Sequence, residues 1–99
     1  MLIIAGQIKI RADKHDEAVA AALKMAEATQ QEDGCIEYQF YEDISDRNTI
    51  LIYERWESQA HLNAHFATPH MAEFRKILPE VVAAPGDIYR YEVASHAKL

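Results

Sequence analysis

The chain has 99 residues, and 10 Lys and Arg against 16 Asp and Glu leave a net charge of -6 with the five histidines neutral. A domain this short buries only about 60% of the surface its unfolded chain exposes, so the core is thin and self-association is expected. The acidic balance argues against a binder of phosphate backbones, which needs a basic face, and 49% hydrophobic residues with only three Gly and three Pro argue against disorder.

The N-terminal run Met1 to Gly6 is apolar but has no basic segment ahead of it and is too short for a signal peptide. No stretch approaches the ~20 apolar residues of a membrane span. Cys35 is the lone cysteine, which rules out an internal disulfide and suits a reducing compartment. The expectation is a soluble cytoplasmic protein, one domain over residues 1–99, with neither nucleic acid nor membrane as partner.

Leu2 to Arg11 is rich in isoleucine and partly apolar on both alternating faces, which predicts a strand covered on both sides. Asp13 reads as an N-cap, with Asp16 and Glu17 in the first turn of a helix running from Lys14 to about Gln31. Val19, Leu23 and Ala26 form its predicted apolar stripe, and Gly34 stops it. Cys35–Glu42 alternates as a strand, and Thr49–Trp56, apolar on both faces in its first half as a covered central strand is, pairs with it in a hairpin around the polar segment Asp43–Asn48. Ser58 caps a short helix holding Leu62, His65 and Phe66, and Thr68-Pro69 starts another with Met71, Phe74 and Leu78 inward, ended or bent by Pro79. Asp87 to Val93 supplies the last strand.

The order βαββαβ predicts an α+β, ferredoxin-like fold, an antiparallel sheet with helices on one face. The bare face, carrying isoleucines and tyrosines, calls for a second copy packed sheet to sheet, with a ligand cavity as the consequence.

Several residues carry the chemistry that small enzymes use. His61 and His65 stand four apart on one helix face, and His70 begins the next segment. The spacing lacks the HExxH carboxylate and no Cys or Asp joins it nearby, so no metal is expected. Gly-x-Ser-x-Gly, Walker and GxGxxG patterns are missing, which disfavours nucleotide cofactors. Cys35 follows the C-terminal end of a helix, where the dipole raises a thiol pKa, so it is not expected to be a nucleophile. Glu54 and Trp56 share one strand face; they form either a carboxylate and indole on an apolar wall, or a structural Glu–Arg pair beside a core tryptophan.

The run from Tyr53-Glu54-Arg55-Trp56 through Ser58, Leu62 and Ala64-His65 to Thr68-Pro69-His70 resembles the signature of the antibiotic-biosynthesis monooxygenase family. The resemblance extends over nearly the whole chain, including Gly34, Tyr38 and the terminal strand after Pro85-Gly86. It implies a dimeric α+β barrel and places the chain among quinol and anthrone monooxygenases without cofactor, haem-degrading enzymes or a sugar-isomerase branch. The haem-degrading pattern wants Asn, Trp and an axial His where this chain has Gln7, His65 and Arg75, so haem is not expected.

What the resemblance implies is a homodimer that oxidises a small aromatic quinol, phenol or anthrone with O₂ in an apolar pocket, using no cofactor. His65 is the first candidate for the catalytic base and His70 the second, because imidazole titrates near neutral pH. Trp56 stacks on the ring and Gln7 or Tyr38 holds a substrate oxygen, in a pocket walled by Ile3, Ile52, Phe66, Met71 and Phe74. Two alternatives remain open: a proton-transfer isomerase of a small carbonyl compound, and a non-catalytic dimer that binds a small apolar ligand.

Overall fold

A computed structural model describes all residues from Met1 to Leu99. The elements are β1 (Leu2–Lys9), a 3-10 turn (Ala12–Lys14), α1 (His15–Thr29), β2 (Cys35–Asp43), β3 (Asp46–Trp56), α2 (Gln59–Phe66), α3 (Pro69–Val81) and β4 (Asp87–Glu92). The strands form one antiparallel sheet in the order β2-β3-β1-β4, the expected ferredoxin-like plan. No helix is long and apolar enough to cross a membrane.

Strand period sorts the sheet into two faces. Leu2, Ile4 and Ile8 of β1 lie in register with Trp56, Glu54 and Ile50 of β3, and all six are buried beneath the helices. Their alternates Ile3, Ala5 and Gln7 pair with Arg55, Tyr53 and Leu51 on the face the helices leave open. The larger core cluster joins Leu2, Ile4, Tyr38, Ile52 and Trp56 to Met25, Ala26, Leu62 and Phe74; a second one gathers Ile8, Ile10, Ala18, Ile50 and Val81. Gly6 allows β4 to approach, since a Cβ there would run into the backbone of Asp87 and Ile88.

Four local expectations are corrected. Asp13 does not cap α1: it lies inside the 3-10 turn, its carboxylate engages Arg11 at 3.0 Å, and the helix starts at His15 without a side-chain cap. Leu23 is 64% exposed, because the buried stripe is Ala18, Ala22, Met25, Ala26 and Thr29, whose small members let the helix lie close to the sheet. The hairpin turns on Ile44-Ser45 alone, with Asp43 Oδ1 accepting the Ser45 N–H at 2.7 Å, so both strands are longer than expected. Pro79 does not end α3, which continues to Val81, where the Val82 N–H still reaches the Leu78 carbonyl at 3.0 Å.

Candidate active site

The C-terminal end of β3 places two unlike side chains on the helix-covered face, Glu54 and Trp56. Trp56 is fully buried, and its Nε1–H donates to Glu54 Oε1 at 2.8 Å. The Glu–Arg alternative for Glu54 falls, because Arg55 points to the other face and donates to Glu37 at 3.1 Å. Burial pushes the Glu54 carboxyl up to about 7; the indole hydrogen bond opposes this and the Glu32 charge adds to it. A buried carboxyl thus titrates near neutrality beside an indole.

Ser58 caps α2 by accepting the His61 N–H, and the helix carries His65 into its final turn, where the ring is only 1% exposed. The imidazole lies tilted against Trp56 with ring centroids 4.9 Å apart, and 5.5 Å from Tyr38. His65 Nδ1 is 2.7 Å from Glu32 Oε2. An ionised carboxylate only accepts, so Nδ1 carries the proton and Nε2 keeps a lone pair. Thr68 then caps α3 by accepting the Met71 N–H, which sets His70 in the first turn with Nε2 2.7 Å from the same Glu32 oxygen. Burial lowers the His65 pKa, while the hydrogen bond and charge of Glu32 oppose the drop.

Of the residues expected at the site, His65, His70, Trp56, Tyr38 and Phe66 are neighbours. Tyr38 is 3% exposed, and burial holds its hydroxyl far above the ordinary phenol range. Phe66 is 42% exposed at the corner between α2 and α3, with the Arg75 guanidinium 6.0 Å from its ring. Phe74 packs one layer away against Phe40. Gln7 lies across the sheet from all of them, since it alternates with the inward Ile8, and so does Ile3.

The expected open pocket around His65 is instead filled core: Ile52, Trp56, Phe74 and Met71 belong to one packed cluster. Beside it, a space of about 50 Å³ is lined by Met25, His70, Phe74 and Ile77, and one of about 80 Å³ by Val19, Phe40 and Ile50. Cys35 sits close enough to Glu32 and Glu54 that burial and both charges push its thiol up to about 11, the direction expected but not through a helix dipole. His61 leaves the histidine group, its Nδ1 on Ser58 Oγ at 2.7 Å.

Glu32 is the site residue that sequence reasoning missed. It comes from the turn after α1 and meets partners 33 and 38 positions away, so no local spacing announces it. Glu54 was visible through its i, i+2 relation to Trp56.

The sequence profile of the antibiotic biosynthesis monooxygenase family matches residues 1–77, a span that holds every residue of this cluster. The chain belongs to that family. Among its relatives, the uncharacterized protein sll1783 of Synechocystis is 39% identical over 99% of this chain and 67% of its own length. A protein of Escherichia coli named "Probable quinol monooxygenase YgiN" is 29% identical over 94% of this chain and 93% of its own length. The structure of Rv0793 from Mycobacterium tuberculosis superposes with a TM-score of 0.91 over 98% of each chain at 24% identity, which places this monooxygenase-family member on the same fold.

Proposed function

We propose that the protein is a homodimeric, cofactor-independent monooxygenase acting on a small electron-rich aromatic of the quinol, phenol or anthrone type. The observation that carries this reading is the Glu32–His65 pair packed against Trp56. Glu32 fixes the tautomer, so His65 Nε2 is the free base, and the apolar surroundings favour a delocalised aromatic anion over a compact one.

In an anthrone, His65 Nε2 takes a proton from the ring methylene. The anion passes one electron to O₂; substrate radical and superoxide combine to a peroxide, which leaves one oxygen as a carbonyl and releases the other as water. The substrate supplies all the electrons. His70 extends the Glu32–His65 pair toward solvent, since its side chain is 23% exposed where that of His65 is 1% exposed. Because Trp56 is fully buried and His65 only 1% exposed, this reading requires the packing beside the part-exposed Phe66 to open before a substrate ring can stack there. Gln7 has no part in this reading, because it faces the other side of the sheet.

The test is oxygen uptake with a panel of quinols and anthrones, corrected for autoxidation, for wild type and His65→Gln. Uptake by wild type that falls at least about a hundredfold in a folded variant supports a base. Absence of uptake above the blank from folded protein removes the oxygenase reading.

A further inference from the structure

We propose that Glu32, His65 and His70 form a binding site for a divalent transition-metal ion of the zinc class. Glu32 Oε2, His65 Nδ1 and His70 Nε2 lie within 4.8 Å of one another. They come from three segments that the fold brings together: the turn after α1, the end of α2 and the start of α3. Two imidazole nitrogens and a carboxylate oxygen are the donor set that zinc, nickel and cupric ions share, and three protein ligands leave room for water or a ligand oxygen. The sequence expectation of no metal rested on finding no carboxylate near the histidines; the turn after α1 supplies one.

Both ring nitrogens lie 2.7 Å from a single carboxylate oxygen, the arrangement that a proton on each of them satisfies. An ion about 2.0–2.1 Å from each ligand holds neighbouring donors roughly 3.3 Å apart in tetrahedral geometry, so each nitrogen–oxygen pair must open by about half an ångström while the two nitrogens settle to the same spacing. His70 and Glu32 are the partly exposed members and give the ion its way in. With both rings neutral, no proton is released: each proton moves from the ligating nitrogen to the other one. For His65 that places a proton on Nε2, the atom the oxygenase reading uses as base. The ion and that base are therefore mutually exclusive, so occupancy switches the proposed oxidation off. Metal binding itself goes beyond that reading and stands without it.

The experiment is calorimetric titration of untagged, chelator-stripped protein with zinc chloride and no substrate, beside His70→Ala, Glu32→Gln and the control His61→Ala, each checked by circular dichroism. The expected result is one ion per chain for wild type and His61→Ala, with affinity at least about tenfold weaker in the other two. Should either of those variants misfold, imidazole NMR of the wild type decides, because zinc must shift the ring signals of His65 and His70. Lack of saturable binding in the micromolar range, retained affinity in the folded variants, or shifts confined to other histidines overturns the site. Because no substrate is present, a negative result leaves the oxygenase reading untouched, and a failed oxygen-uptake assay leaves this one untouched.

Discussion

Glu54 holds the least comfortable charge in the core, since burial raises its carboxyl to about 7 from the 4.5 of a free side chain. A folded pKa above the unfolded one means the native state binds the extra proton, so stability falls as pH climbs between those two values. Wild type should accordingly lose roughly 3 kcal/mol through this group between pH 4.5 and pH 8. Glu54→Gln keeps an acceptor for the Trp56 Nε1–H and removes the titration. Urea unfolding at pH 5 and pH 8 should show the variant gaining on wild type only at the higher pH. Equal differences at both values would show that the carboxyl does not titrate there. Trp56→Ala, by contrast, should cost about 3–5 kcal/mol at either pH, because it empties the centre of the larger core cluster.

At the scale of elements, legibility followed how local the determining chemistry is. Ser58 and Thr68-Pro69 were readable because an N-cap and its N–H partner stand three residues apart. The stripe on α1 was misread because alanines, not Leu23, face the sheet, and alanine carries almost no hydrophobic contrast along a helix. His65 stood out from its neighbours, whereas the carboxylate that meets it, Glu32, did not, since only tertiary folding joins a turn to two helices. Thr68→Ala should cost about 1 kcal/mol in thermal or urea unfolding. It should also loosen His70, whose ring position depends on where α3 begins. A stability loss with unchanged His70 ring shifts in NMR would separate the cap from the site. Gly34→Ala should cost more than the cap, because Gly34 has φ of 79° and the His61 ring occupies the space a Cβ needs.

On the scale of the whole molecule, the sheet raises the largest energetic question, because three helices cover one face and nothing in the chain covers the other. Leu51 is 37% exposed there, Tyr89 57% and Tyr91 52%, with Ile3 and Tyr53 between them. A patch of that size and composition is stable in water when another surface removes it, and a second copy of the same face is self-complementary by symmetry. Leu51 is the position that separates association from folding. It sits mid-way along a central strand, yet its side chain points away from the core. In a monomer, therefore, Leu51→Glu places a carboxylate in water at little cost. In a sheet-to-sheet dimer it buries two unpaired carboxylates, and the penalty is several kcal/mol per ion. Since each 1.4 kcal/mol is tenfold in affinity, the variant should dissociate by several orders of magnitude. Sedimentation at micromolar concentration should give a two-chain species for wild type and a folded single chain for Leu51→Glu. A wild type that sediments as one chain defeats the dimer, and a variant that stays paired moves the interface off this face.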